Sequence, residues 1–199
     1  MNYLFLLFTP LLIGTVSCQS KPQLKDGDIL FQPSFSQQSK AVEIATNSPY
    51  SHCGILFFEN GKPYVYEAIQ PVTKRPLEAW IASGTNGEYV VKRLKDNSVL
   101  TPEKIEKMRQ YALSHFGKNY DAIFNWSDKE MYCSELVWKI YKEKLGITLA
   151  NTKPLRDFNI DHIVVRKIME QRYGKNIPYE EPMIAPSQLF DSPLLEKVE

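Results

Sequence analysis

At 199 residues, the chain has the length of one compact domain rather than two. Hydrophobic residues make up 43% of it, enough to build a core, and the formal net charge is only +1. Because lysine and arginine are dispersed along the sequence, it lacks the basic stripe that binding of a nucleic-acid backbone requires. Nucleic acid is therefore not an expected partner.

The N-terminal segment MNYLFLLFTPLLIGTVSC carries no charged side chain and is too short and too interrupted to span a membrane. It is typical of a secretory signal, so we expect residues 1–20 to be a signal peptide and residues 21–199 to form a single domain. The small residues before Cys18 are also similar to a bacterial lipoprotein signal, in which a lipid on that cysteine would anchor the protein to a membrane. A strand or helix packed into the domain is the structural alternative. The sequence thus predicts export to the cell envelope or periplasm.

The first part of the domain has the pattern of short strands around one helix. The run DGDILFQ, residues 26–32, predicts a strand, and SQQSKAVEIATNS after it predicts a short helix. Two β-rich runs then flank Asn60 and Gly61, a dipeptide typical of a two-residue hairpin loop. A further strand is predicted in YVVKRL, residues 89–94.

The hairpin register decides which side chains share a face. With Asn60 and Gly61 at the loop, Glu67 lies opposite Gly54 and on the same face as His52. Cys53 points to the other face. A shift of one residue at the turn would reverse this arrangement.

Three helices are predicted in the second half. Residues 101–117 begin with Thr101 as N-cap and end at Gly117, and residues 132–146 end at Gly146. Residues 161–174 form another candidate, followed by a proline-rich passage over the core. Cys133 therefore lies in the first turn of a helix, on its buried side.

A thiol at a helix N-terminus lies close to unsatisfied backbone amides, which stabilise its thiolate. Cys133 has that position, whereas Cys53 lies within a strand. A cysteine nucleophile also needs an imidazole, and the imidazole needs an acceptor on its second nitrogen. His52 and Glu67 supply such a pair. Taken singly, each of the three residues is also consistent with a structural role.

Other chemistries find little support in the sequence. His115 lies near a helix C-terminus and His162 at a helix start, positions that favour structural roles. The three histidines have no close pairing and there is no Cys-x-x-Cys spacing, so we expect no metal site. There is no phosphate-binding glycine loop, and we expect no cofactor.

Three segments carry a resemblance to a known family: ATNSPYSHCGIL, YVYEA and YCSELVWKIY. In this order they resemble the YiiX-like hydrolases, the circularly permuted branch of the NlpC-like papain-fold superfamily. The resemblance implies an α+β permuted papain-like fold, with an antiparallel curved sheet or small barrel packed on helices. It also implies Cys133 as nucleophile, His52 as general base and Glu67 as the group that orients the histidine.

The segment HFGKNYDAIF resembles the part of the superfamily that places a tyrosine beside the oxyanion. Tyr120 is therefore a candidate oxyanion donor, with a packing role as the alternative. The resemblance implies an amidase or cysteine peptidase that acts on a cell-wall peptide or an N-acyl amino acid, or else on a lipid. A non-catalytic envelope protein that binds a peptide or lipid is the rival interpretation. A Cys53–Cys133 disulfide would favour this rival, although the register disfavours such a bridge.

Overall fold

A computed structural model describes residues 23–198. The signal peptide predicted for residues 1–20, and Cys18 with it, lie outside the described residues. In the part that is described, no helix combines the length and the apolar character needed to cross a membrane.

The described residues form eight strands and six α-helices. The strands are β1 (Ile29–Gln32), β2 (His52–Glu59), β3 (Lys62–Glu67), β4 (Thr73–Pro76), β5 (Val90–Leu94), β6 (Lys153–Pro154), β7 (Pro182–Met183) and β8 (Leu195–Lys197). The helices are α1 (Gln37–Thr46), α2 (Leu77–Ala82), α3 (Pro102–Leu113), α4 (Cys133–Leu145), α5 (Ile163–Tyr173) and α6 (Pro186–Phe190).

Six strands form one antiparallel sheet in the order β4-β3-β2-β1-β5-β8. The sheet is not closed into a barrel, so of the two expected forms, a curved antiparallel sheet and a small barrel, the structure has the open sheet. Helix α4 lies on one face of the sheet, where Ile55 and Phe57 of β2 join its side chains in the main core. The buried Trp80 of α2 packs against the other face.

The predicted hairpin is confirmed with its register. Asn60 and Gly61 have φ values of 50° and 76°, as a two-residue turn with two positive φ angles requires. Glu59 pairs with Lys62 and Leu56 pairs with Val65. The faces to which the side chains of β2 and β3 point therefore follow from the register that the sequence predicted.

The predicted helices are also found. Helix α3 begins at Pro102, and Thr101 caps it by accepting a hydrogen bond from the backbone of Lys104. It ends at Leu113, earlier than the predicted end at Gly117, and residues after it continue as turns. Gly146 closes α4 in the left-handed conformation, with φ of 71°.

Strands β1 and β5 and helices α1 and α5 match the remaining sequence predictions. The short elements β4, α2 and β8 were not predicted. Each has fewer than seven residues, and β8 carries charged side chains that suit an edge strand rather than a buried one.

Candidate active site

Cys133 is the first residue of α4 and is only 4% exposed. The start of this helix is tied to the segment that enters α6. Ser134 Oγ donates a hydrogen bond to the carbonyl of Ile184 at 2.7 Å, and the Ile184 amide donates to the Tyr132 hydroxyl at 3.2 Å. The free amides of the first helical turn therefore surround a thiol whose position is fixed.

His52 lies at the start of β2 and Glu67 at the end of β3, so the hairpin brings them together. His52 Nε2 and Glu67 Oε2 are 2.6 Å apart, and the Glu67 side chain is fully buried. Arg75 of β4 donates to both carboxylate oxygens, from Nε to Oε1 and from Nη2 to Oε2. Because Nε2 of His52 is engaged by Glu67, Nδ1 is the nitrogen left to serve the thiol.

The charges at this site favour a thiolate next to an imidazolium. Hydrogen bonds from Cys53 and His52 lower the pKa of the Cys133 thiol well below its usual range, although burial opposes them. Burial alone would lower the pKa of His52, but Cys133 and Glu67 raise it to about 10. Burial likewise opposes ionisation of Glu67, and His52 and Arg75 outweigh it, so the pKa of that carboxyl is lowered. Both shifts favour the ionised forms, a Cys133 thiolate beside a His52 imidazolium.

The expected separation of Cys53 from Cys133 is wrong. Cys53 does point away from His52, into the core that β2 shares with α4, but α4 is the element that carries Cys133. His52 lies on the opposite face, near Trp80 with ring centroids 6.1 Å apart, and reaches Cys133 from the first residue of the strand. Both cysteines are free thiols in the structure.

Tyr120 lies in the loop that leads to α4, where a bridge pairs it with Met131. Its hydroxyl accepts a hydrogen bond from Gln38 Nε2 at 2.7 Å. Burial and the negative charge of Cys133 raise the pKa of the Tyr120 hydroxyl well above its usual value, which keeps its proton in place. The structure therefore brings Tyr120 together with the other three predicted site residues.

An apolar cavity and a polar cleft meet at Tyr120. An apolar cavity of about 90 Å³ begins at Cys133 and Tyr120 and extends between α1 and α5. A polar cleft of about 270 Å³ contains His52, Arg75 and Gln32. Tyr120 borders both. A molecule lying across the thiol would therefore have one apolar and one polar end.

The two other histidines have the structural roles expected of them. His115 is buried, and its Nδ1 donates to the carbonyl of Tyr111 at 2.8 Å. His162 precedes α5 and caps it, since Nδ1 accepts from the backbone of Val164 at 3.3 Å. Neither histidine lines the cavity or the cleft.

Three residues at the site were missed in the sequence. Arg75 carries a signal in retrospect, because an arginine eight positions after Glu67 can lie diagonally opposite it, on the same face of a second hairpin. Gln38 and Arg172 carry no such signal. They meet each other across 134 positions of the chain.

A model of the permuted papain-like amidase family, YaeF/YiiX or C92, matches residues 23–199. The chain belongs to this family. It is 44% identical to the uncharacterized protein YiiX of Escherichia coli strain K12 over 193 residues, which is 97% of this chain and 94% of the relative.

The crystal structure of the metalloprotein yiiX from Escherichia coli O157:H7 is similar to that of this chain, with a TM-score of 0.84 and 46% identity. The similarity covers 88% of this chain and 96% of the other. The predicted family and fold are thus confirmed.

A resident metal ion at this site would need side chains that are free to bind it. Between residues 23 and 198 there is no group of three or more histidine, cysteine, aspartate or glutamate side chains arranged to hold a metal ion. At the site itself, His52 and Glu67 are bonded to each other and Glu67 also to Arg75. The described residues therefore do not fit a resident metal.

Proposed function

We propose that this permuted papain-like amidase is an exported cysteine hydrolase that cleaves the amide bond of an N-acyl amino acid through Cys133, His52 and Glu67. One observation carries the proposal: an activated thiol at a helix start adjoins a buried His52–Glu67 pair and the mouth of an apolar cavity. A thiolate in this position is a nucleophile that can receive the acyl group of the substrate.

In the first half of the reaction, the Cys133 thiolate attacks the amide carbon and the carbonyl oxygen becomes an oxyanion. The Cys133 amide and the Tyr120 hydroxyl stabilise this oxyanion. When the carbon–nitrogen bond breaks, imidazolium His52 gives its proton to the leaving amine. The products of this half are a thioester on Cys133, a free amine and neutral His52.

In the second half, His52 takes a proton from water as the water oxygen attacks the thioester carbon. Collapse of this intermediate breaks the carbon–sulfur bond, releases the carboxylic acid and restores the thiolate–imidazolium pair. Glu67 keeps the His52 ring oriented and stabilises its positive charge in both halves. Arg75 holds Glu67 ionised, because it donates to both of its oxygens.

The cavity favours an acyl chain over a cell-wall peptide as the group that Cys133 receives. Its lining is almost entirely apolar, with Ala45, Ile168 and Met169 among the side chains. The leaving amine then lies in the polar cleft, on the side of His52. There Gln32 Oε1 is buried without a hydrogen-bond partner and can accept from an N–H group.

The same cavity also fits the acyl chain of a lipid ester, which makes lipid-directed acyl hydrolysis or transfer the second candidate. Export rests on the N-terminal segment, and anchoring through a lipidated Cys18 would place the cavity near membrane lipids. Product analysis separates these candidates, since an amide substrate releases an amine and an ester releases an alcohol.

The test is hydrolysis of N-dodecanoyl-L-alanine, N-acetyl-L-alanine, a muropeptide and a monoacylglycerol, with products identified by mass spectrometry. We expect release of alanine from the dodecanoyl amide, and loss of at least a thousandfold in Cys133→Ala and His52→Ala. A fully active Cys133→Ala protein would refute the proposed mechanism. Cleavage of the muropeptide or the ester alone would refute the proposed substrate.

The β2–β3 hairpin contains a second glutamate, Glu59, that serves as a matched control for Glu67. Glu59 and Glu67 lie at its two ends, and each forms an ion pair with a neighbouring basic residue of β4, Lys74 and Arg75 respectively. Glu67→Gln should lower kcat strongly because the His52 imidazolium loses the negative charge that stabilises it, whereas Glu59→Gln should leave kcat within about twofold. Equal losses in the two variants would show a general effect on the hairpin instead.

A further inference from the structure

A chain of hydrogen bonds leads from α5 to the Tyr120 hydroxyl. Arg172 Nη2 donates to Gln38 Oε1 at 2.6 Å, and Gln38 Nε2 donates to the hydroxyl oxygen of Tyr120 at 2.7 Å. Gln38 belongs to α1 and Arg172 to α5, so three separate parts of the chain meet here. The guanidinium of Arg172 is also held over the Phe124 ring, 5.4 Å from its centroid.

The direction of these bonds follows from the chemistry of the groups. A guanidinium has five donor hydrogens and no acceptor, so the Gln38 atom that faces Arg172 must be the carbonyl oxygen. The amide nitrogen of Gln38 then faces Tyr120, and the tyrosine oxygen must accept. The single hydrogen of the Tyr120 hydroxyl is thereby left for another acceptor.

In the proposed reaction, such an acceptor forms at Cys133, where the carbonyl oxygen of the substrate becomes an oxyanion. Tyr120 and Cys133 line the same cavity, and Tyr120 also borders the cleft that contains His52. The substrate oxygen becomes negative where these two spaces meet. Because Gln38 occupies the oxygen of the Tyr120 hydroxyl as a donor, the hydrogen can be donated to this oxyanion as the charge develops.

We propose that Gln38, oriented by Arg172, is a positioning residue that fixes the Tyr120 hydroxyl as a hydrogen-bond donor to the oxyanion. This inference rests on the proposed function and adds to it the residues that set the polarity of the oxyanion site. Without Gln38, the hydroxyl rotates among several partners, and the oxyanion loses part of its stabilisation.

The test is a double-mutant cycle of Gln38→Met and Tyr120→Phe. The rate measured is acylation of Cys133 by p-nitrophenyl dodecanoate, read as release of p-nitrophenol and corrected with Cys133→Ala. We expect each single variant to lose roughly ten- to a hundredfold in kcat with little change in KM. We expect the double variant to be no slower than Tyr120→Phe, because Gln38 acts only through that hydroxyl.

Two controls separate positioning from damage to the fold. Gln37→Met makes the same replacement at an exposed neighbour on α1 and should keep the wild-type rate. Alkylation of Cys133 by iodoacetamide has no oxyanion and should proceed at the wild-type rate in Gln38→Met.

A wild-type kcat in Gln38→Met would overturn the inference. So would a loss that persists in the Tyr120→Phe background, since Gln38 would then act independently of the hydroxyl. If Cys133→Ala is inactive in either of these cases, only the role of Gln38 fails. Full activity of Cys133→Ala would instead refute the proposed function itself.

Discussion

The charges of the buried Cys133 and His52 side chains depend on the groups that contact them. Burial opposes the charge on both, yet hydrogen bonds and opposite charge outweigh it, and the pKa of His52 rises to about 10. The Cys53 thiol adds to this, because a hydrogen bond to the Cys133 sulfur favours its thiolate. We therefore expect Cys53 to lower the pKa of Cys133, the proposed nucleophile, without taking part in the reaction.

Replacement of Cys53 by alanine should raise the pKa of Cys133, because the thiolate loses a hydrogen bond. A bond to a charged group contributes about 1.5 kcal/mol or more, which predicts a rise of roughly one unit. The measurement is the rate of Cys133 alkylation against pH, with mass spectrometry to locate the label. Cys53→Ser keeps a donor and should shift the pKa less. An unchanged pH profile in Cys53→Ala would mean that Cys53 only packs in the core.

A residue of the site could be predicted from the sequence where a local pattern indicates its position, and not where its position depends on a distant segment. Cys133, His52 and Glu67 could be found because a helix start and a hairpin register are local patterns. The position of Cys53 was misjudged, because strand parity tells which face a side chain takes and not which helix rests on that face. Gln38 could not be found, since its partner Arg172 is contributed by a distant helix.

Helix α4 begins with the Cys133 thiol and also has a buried carboxylate in its first turn. Glu135 is fully buried, accepts from the backbone of Tyr132 at 3.3 Å and pairs with Lys139 at 2.8 Å. Burial raises its pKa to about 7, against an ordinary value of 4.5, although Lys139 opposes this. The first turn of α4 therefore contains a group that titrates near neutral pH.

The sign of its effect on stability follows from proton binding. Between pH 4.5 and about 7 the folded chain holds the Glu135 proton more tightly than the unfolded chain. This residue therefore lowers the free energy of unfolding as the pH rises, by up to about 1.4 kcal/mol per pH unit. Glu135→Gln should remove that slope and become more stable relative to wild type from pH 5 to pH 8.

Urea unfolding at several pH values measures this difference, and Glu143→Gln is the matched control. Glu143 is an exposed carboxylate on the same helix, so Glu143→Gln makes the same replacement without changing the buried first turn. A constant difference between wild type and Glu135→Gln across this pH range would contradict the assigned titration.

On the scale of the whole molecule, the cavity exists because α5 packs on α1, although more than a hundred residues separate them. Each helix was predicted from its own pattern, but their contact and the space between them depend on tertiary packing that no local pattern encodes. The sheet and α4 position Cys133, His52 and Glu67, and the α1–α5 pair forms a wall of the apolar cavity. In the proposed reaction, catalysis and acyl-chain preference would thus be contributed by different parts of the fold.

This division predicts that chain-length preference can be changed without loss of catalysis. Ala45 of α1 lines the cavity, and Ala45→Leu would fill part of it. Each buried methylene of the substrate contributes about 0.8 kcal/mol, so exclusion of two of them should lower kcat/KM about tenfold. We expect this loss for a dodecanoyl amide and little change for a butanoyl amide. Ala82→Leu, on the exposed surface of α2, is the control. If Ala45→Leu slowed both substrates equally, the acyl chain would not occupy this cavity, because only a chain long enough to reach Ala45 should sense the added side chain.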